Sequence, residues 1–137
     1  MLTLIRRPLQ CLAILLVLGH GGALGQTGTF DTAVERAAAQ YRIAMQTLET
    51  GGRDQTEAEV SLFREAWGDI IERFGKDRPS AFADDDTYAS TLLDVDVRLL
   101  GALLVINIGS REAAREALKP IGETLTRFQE RAAPQQP

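Results

Sequence analysis

Apolar residues recur at steps of three and four along four segments of this chain, and no stretch shows the sustained alternation typical of β-strands. Such spacing places the apolar side chains of each segment on one face of a helix. It predicts helices over 31–50, 57–74, 86–108 and 111–131, with a longer loop at 76–83. Because two connections are short and one is longer, we expect an all-α fold, an antiparallel four-helix bundle made of two helical hairpins.

Glycines and small polar residues mark the predicted helix ends. Gly51 and Gly75 follow the first two apolar stripes, and Gly109 follows the third in a position suited to a left-handed C′ residue. The N-terminal capping residues predicted by position are Asp31 or Thr29, Thr56 with Glu59 as a capping box, Asp84 to Asp86, and Ser110.

The first 25 residues have the layout of a secretory signal peptide. Arg6 and Arg7 give a positive start, and residues 9–18 are mainly apolar. Small side chains at Ala23 and Gly25 then predict cleavage after Gly25, so the protein is expected to be periplasmic or secreted. The apolar run of about ten residues is half of the roughly 20 that a membrane span needs. No stable membrane anchor is therefore expected after cleavage, and an uncleaved anchor is the alternative.

Cleavage would leave a bundle domain at 26–132 and a polar tail at 133–137 that is expected to be disordered. It would remove the only cysteine, Cys11, and the only histidine, His20. Histidine bases, thiolate nucleophiles, zinc or iron–sulfur sites of these ligands and covalent c-type haem are then excluded. The net charge of −4 also argues against binding to nucleic acid. We expect no cofactor, no metal site and no nucleic-acid partner.

Three acidic features of the sequence could suggest chemistry but favour simpler interpretations. An EF-hand loop that began at Asp84 would need glycine and glutamate where the chain has Ala89 and Val95, so helix capping is favoured. Asp94 and Asp96 lie two residues apart and point in different directions on a helix. Asp94 with Arg98 has the spacing of a surface ion pair. Glu112 with Arg115 or Glu116 is likewise interpreted as a solvated face.

The predicted last helix resembles the corresponding helix of cytochrome c′, a family of periplasmic four-helix-bundle cytochromes. Residues 117–131 read ALKPIGETLTRFQER. Leu125 and Phe128 stand where that family has its haem-attaching cysteines, and Gln129 stands where it has the axial histidine. The resemblance implies a haem-free relative with the same architecture. The electron transfer and gas binding of the family are not implied, because the residues that perform them are missing.

The third predicted helix carries more apolar residues than one buried face needs. Residues 99–108 read LLGALLVINI, and only Asn107 is polar. Leu99, Ala102, Leu103 and Ile106 fill an inward stripe of about 100°. The remaining apolar residues and an adjacent glycine are predicted to form an interface: Val97, Leu100, Gly101, Leu104 and Ile108. We expect a homodimer or another protein partner to cover them, the alternative being that the loop around Phe82 does so.

These features predict an exported helical bundle that acts by binding or assembly and has no catalytic machinery. The first alternative is a carrier that holds a small apolar ligand or a non-covalent cofactor between the aromatic faces of the second and fourth helices. Trp67, Phe63, Phe74 and Tyr41 could line such a site, although an aromatic stripe at helical spacing favours core. The second alternative is an enzyme that uses only acidic, arginine, tyrosine or serine side chains. Carriage predicts a closed cavity, and catalysis predicts converging carboxylates.

Overall fold

The computed structural model describes residues 28–133, and within them the protein is all-α, as predicted, with four α-helices and no strand. The α-helices are α1 (Phe30–Thr50), α2 (Arg53–Phe74), α3 (Tyr88–Asn107) and α4 (Arg111–Ala132). A 3₁₀ turn, Ser80–Phe82, lies in the longer connection between α2 and α3. The predicted signal peptide, 1–25, lies outside the described residues, as does the predicted tail, 133–137, apart from Ala133, which is the C-cap of α4.

The start of α2 differs from the prediction. The helix begins at Arg53, with Gly52 as its N-cap, and Thr56 lies buried inside the first turns instead of capping them. Its hydroxyl donates to the Gly52 carbonyl at 2.9 Å, and the Gly52 amide donates to Gln55 Oε1 at 3.4 Å. Because Gly52 and Gln55 provide the terminal contacts, the capping box predicted for Thr56 and Glu59 is wrong.

The ends of α3 agree better with the sequence. Of the three aspartates before it, Asp85 makes the terminal contact, because its Oδ1 accepts hydrogen bonds from the Thr87 amide at 3.0 Å and hydroxyl at 2.6 Å. Thr87 is the N-cap residue, so α3 begins slightly later than predicted. Gly109 has a φ of 84°, which confirms the left-handed residue after α3. Ser110 Oγ accepts from the Ala113 amide and caps α4, also as predicted.

One core of apolar side chains runs between the four helices. Its largest fully buried members include Trp67, Tyr88, Phe63, Phe82 and Phe128. Phe82 comes from the 3₁₀ turn, and its ring centroid lies 4.8 Å from that of Phe128 and 5.0 Å from that of Tyr88. The longer connection therefore closes one end of the core. Burial of the Phe82 ring there favours the folded chain by about 1.5–3 kcal/mol.

Each helix packs against two others: α1 on α2 and α4, and α3 on α2 and α4. Polar contacts accompany this packing. Gln40 Nε2 in α1 donates to Glu59 Oε2 in α2 at 2.6 Å, and Trp67 Nε1 in α2 donates to the Leu92 carbonyl in α3 at 2.9 Å. The four helices therefore form a closed set of neighbours, which is consistent with a helical bundle.

Candidate functional site

The two faces of α3 have different environments although both are apolar. The inward face is buried in the core and consists of Tyr88, Leu92, Val95, Leu99, Ala102 and Ile106. Leu103, which was predicted to lie in the same stripe, is only partly buried against the core. A helix of a small bundle needs one buried stripe, and the inward face of α3 already provides it.

The outward face of α3 carries a second apolar stripe. The exposed fractions are 60% for Leu93, 64% for Val97, 43% for Leu100, 69% for Leu104 and 81% for Ile108. Four of these residues were singled out from the sequence, and the structure brings them to one face, together with Gly101. Leu93 was missed, although its position four residues before Val97 was an available signal. We call Leu93, Val97, Leu100, Gly101, Leu104 and Ile108 the outer stripe.

The outer stripe has the spacing of a helix-packing surface. Its large side chains follow one another at steps of four, three, four and four residues. From Leu93 to Ile108 it extends for about 22 Å at 1.5 Å per residue. At Gly101 an added Cβ would meet no atom within 4 Å, so the backbone there is open to a neighbour from outside. A surface of this shape suits contact with another helix.

Charged side chains border the outer stripe but do not enter it. Arg64 of α2 donates from Nε to Asp96 Oδ1 at 2.9 Å, which ties α2 to α3 on one side. On the other side, Arg98 Nε lies 2.7 Å from Asp94 Oδ2, which confirms the predicted ion pair within α3. Asp94 and Asp96 thus have different partners and do not form a carboxylate pair. The border is polar and internally paired, and the stripe between its charges is apolar.

An open groove lies beside one end of the outer stripe, between α2 and α3. It has a volume of about 460 Å³ and is lined by Ile71, Glu72, Gly75, Lys76, Ala89, Leu92 and Leu93. Leu93 belongs to both features, so the groove extends the apolar surface toward α2. Two further exposed apolar side chains, Ile43 in α1 and Leu62 in α2, lie on other helices.

The loop around Phe82 does not cover the outer stripe. Phe82 is buried among rings at the end of the core, where it contacts Phe30, Tyr88 and Phe128. Since the large side chains of the stripe stay exposed, the alternative in which this loop covers the back of α3 is wrong. Over residues 28–133, no other segment of the chain buries them.

The ionisable groups with shifted pKa values make structural contacts. Arg115 Nε lies 2.7 Å from Glu49 Oε1, and Arg115 also pairs with Glu112. The hydrogen bond from Arg115 lowers the pKa of Glu49, and the same contact raises the pKa of Arg115. The Arg115–Glu49 pair joins α4 to α1, an element that the sequence did not identify as a partner of Arg115.

Two tyrosines are also shifted. Burial raises the pKa of Tyr88 to about 12, and its hydroxyl donates to the Phe74 carbonyl at 3.1 Å. Burial also raises the pKa of Tyr41. Both phenols therefore stay protonated at neutral pH and do not act as bases there.

The aromatic residues considered for ligand carriage lie in or against the core. Trp67 and Phe63 are fully buried, and Tyr41 and Phe74 are partly buried against them. The Trp67 and Phe128 centroids lie 5.8 Å apart, so these rings of α2 and α4 contact each other directly. The Trp67 indole N–H is already satisfied by the Leu92 carbonyl. These rings serve as core in the structure.

The positions that correspond to the haem-binding residues of cytochrome c′ all lie on α4. Leu125 and Phe128 are buried in the core, and Gln129 is partly exposed. Among residues 28–133, no three His, Cys, Asp or Glu side chains are placed to hold a metal ion together. The same part of the chain has no helix that is both long and apolar enough to span a bilayer.

The chain matches no protein-family model, and no curated protein or solved structure is significantly similar to it.

Proposed function

We propose that this chain is a small exported helical protein that acts by assembly, and that the outer stripe of α3 is the surface through which it associates with a protein. The observation that carries the proposal is a row of five exposed large apolar side chains, four on one face of α3 and the fifth, Ile108, at its C-cap. Contiguous apolar surface of this kind marks interaction sites on soluble proteins. Export is supported by the pattern of residues 1–25, which includes Arg6, Arg7, Ala23 and Gly25.

The energy available at the outer stripe is sufficient for association. A large aliphatic side chain gains about 1.5–3 kcal/mol when it is fully buried. Leu100 is already partly covered, but Leu104 and Ile108 are mostly exposed and would gain most of this amount. Summed over the stripe, the gain is comparable to the estimated 4–15 kcal/mol that association costs in lost motion. Apolar surface that the partner buries adds to this gain, so association is expected where the partner's face is apolar too.

We also propose that the helices form two antiparallel hairpins, α1 with α2 and α3 with α4. The direction of α2 against α3 is supported by contacts that run in opposite orders along the chain. Asp96 meets Arg64, the Leu92 carbonyl meets Trp67, and Tyr88 meets Phe74, at 2.9, 2.9 and 3.1 Å. Such an arrangement gives α3 an outward face along its whole length.

Carriage of a ligand in the core is less favoured because the rings that would line its site already contact one another. The spaces described between helices are open grooves at the surface, of which the α2–α3 groove of about 460 Å³ is one. Kinship with cytochrome c′ stays a prediction from the sequence of α4. Assembly through α3 requires neither haem nor a closed cavity.

The test compares the native mass of the wild-type chain with that of a variant, each carrying a tag and measured in fresh extracts of the cells that produce it. The wild type is expected to migrate above the mass of one chain, and the Leu100→Glu/Leu104→Glu variant at that mass, because two carboxylates would be desolvated in the contact. Ile43→Glu/Leu62→Glu, which places two carboxylates at exposed apolar positions of α1 and α2, serves as the matched control and should migrate as the wild type does. Equal masses for the wild type and the α3 double variant would contradict the proposal, provided that circular dichroism shows both to be folded.

A further inference from the structure

We propose that the protein bound by the outer stripe is a second copy of this chain, and that the two α3 helices pack antiparallel about a two-fold axis between Leu100 and Gly101. This inference rests on the proposed function, since it names the partner of the same surface. Two-fold dimers are the commonest oligomers because they need only one self-complementary surface. The outer stripe is self-complementary because its apolar residues are arranged symmetrically about this axis.

The stripe has nearly the same spacing when it is followed in either direction from that axis. In an antiparallel pair, Leu93 lies opposite Ile108 of the other copy, and Val97 lies opposite Leu104. The exposed fractions of these four side chains are all 60% or more in the single chain. Each would therefore exchange water for an apolar partner, and none would be left unpaired.

Leu100 and Gly101 make the centre of the pair possible. In this register each Leu100 faces Gly101 of the other copy, so a large side chain meets a position without one. An added Cβ at Gly101 would have no neighbour within 4 Å in the single chain, which leaves room for the incoming leucine. No close contact within the single chain requires a glycine at position 101. Glycine inside α3 weakens the helix relative to alanine.

The charges beside the stripe agree with the same register. Asp94 would face Asn107, an uncharged residue, and Arg98 would face Leu103. A chain with a net charge of −4 repels its own copy, so the absence of a like-charge pair in the contact matters. A parallel pair would instead place Asp94 near Asp94 and Gly101 opposite Gly101, which leaves a gap at the centre.

A neighbouring antiparallel register fits less well. If the axis lay between Arg98 and Leu99, Gly101 would face Asp96, whose carboxylate is already held by Arg64 at 2.9 Å. Ile108, the most exposed member of the stripe, would then face the small side chain of Ala89. The axis between Leu100 and Gly101 gives Ile108 a large apolar partner in Leu93 and keeps the Arg64–Asp96 pair at the border.

Cysteine cross-linking tests both the partner and the register. The chain has one native thiol, so Cys11→Ser provides the background for single cysteines introduced along α3. Leu100→Cys lies next to the axis, and we expect it to form a disulfide-linked dimer under mild oxidation. Val97→Cys should not link to itself, because two copies of residue 97 would lie about 10 Å apart along the helices. A mixture of Val97→Cys and Leu104→Cys chains should form the mixed dimer, and Leu62→Cys on α2 is the control that should stay unlinked.

A second measurement uses the glycine at the centre. Gly101→Leu should raise the dissociation constant of the purified protein at least about tenfold, because its side chain meets Leu100 of the other copy. Gly101→Ala should raise the melting temperature of the dilute single chain and still weaken the dimer. If position 101 mattered only for the fold, Gly101→Ala would raise the melting temperature without weakening the dimer. Ala58→Leu adds apolar bulk at an exposed position of α2 and should leave the dissociation constant unchanged.

The outcomes separate the inference from the function on which it rests. A purified wild-type chain that stays monomeric by light scattering, while its mass in extracts still depends on Leu100 and Leu104, would overturn the second copy and leave association through the stripe in place. Two outcomes would overturn the register. One is a disulfide between two Val97→Cys chains; the other is a wild-type chain that dimerises while Leu100→Cys chains form no disulfide. Loss of the mass difference in extracts would overturn both proposals.

Discussion

Residues that could not be assigned from sequence alone are those whose environment comes from distant parts of the chain. Phe82 was placed in a loop without period, yet it is buried because α1, α3 and α4 meet around it. Arg115 was assigned with Glu112 to a solvated face of α4, but in the structure it pairs with Glu49 of α1 as well as with Glu112. Local spacing predicts the local partner, while the distant partner depends on how the helices pack.

Asp85 gives a prediction for the dependence of stability on pH. Hydrogen bonds from Thr87 and the ion pair with Arg131 lower the pKa of Asp85 in the folded chain. Because the folded value lies below the unfolded value of about 3.9, its contribution is present above that pH and is lost as the pH falls through the folded pKa. Asp85→Asn should therefore be less stable than the wild type at pH 7, and the difference should disappear in strong acid.

Urea unfolding followed by circular dichroism at neutral and at strongly acidic pH measures this difference. Asp86→Asn changes the adjacent exposed carboxyl and is the matched control, for which we expect little change at either pH. A destabilisation by Asp85→Asn that stayed constant in acid would mean that the substitution acts through packing and not through charge.

At the scale of the element, periodicity predicted all four helices, and the errors are concentrated at their ends. The apolar stripe of α2 begins well inside the helix, so the first turn, which starts at Arg53, has no apolar signal. Thr56 has the sequence pattern of a cap, but its hydroxyl bonds back to the carbonyl of Gly52. Both a helix cap and this internal bond suit threonine, and only the neighbouring Gly52 and Gln55 decide between them.

The connection between α3 and α4 depends on one glycine. Gly109 has a φ of 84°, a conformation that costs a residue with a Cβ about 1–2 kcal/mol. Gly109→Ala should lower the free energy of unfolding by about 1 kcal/mol. Gly68→Ala is the matched control, because Gly68 lies inside α2, where an added Cβ would meet no atom within 4 Å, and it should not lower stability. Equal effects of the two substitutions, measured by chemical unfolding, would contradict a special role for the left-handed residue.

At the scale of the whole molecule, the candidate surface was predictable because one helix holds more apolar residues than its own core face can use. The stretch 99–108 showed that excess, and Leu100, Leu104 and Ile108 are exposed in the structure as it implied. Leu93 was not foreseen because it lies six residues before that stretch, further from it than Val97, in a part of α3 where polar residues are mixed in. The identity of the partner cannot follow from one chain's burial pattern, but the symmetry of the stripe about Leu100 and Gly101 restricts it.

Export belongs to the same scale, because it decides which residues the assembling protein contains. If signal peptidase acts after Gly25, the exported chain should begin at Gln26, since Ala23 and Gly25 offer the small side chains that the enzyme accepts. N-terminal sequencing and intact mass of protein from the extracytoplasmic fraction measure this directly. Gly25→Arg should block cleavage, while Gln26→Ala, on the other side of the bond, should not. A full-length chain that remains in the cytoplasm would contradict export, and it would restore Cys11 and His20 to the residues available for chemistry. Assembly through α3 would be unaffected, because no member of the outer stripe lies in the segment that cleavage removes.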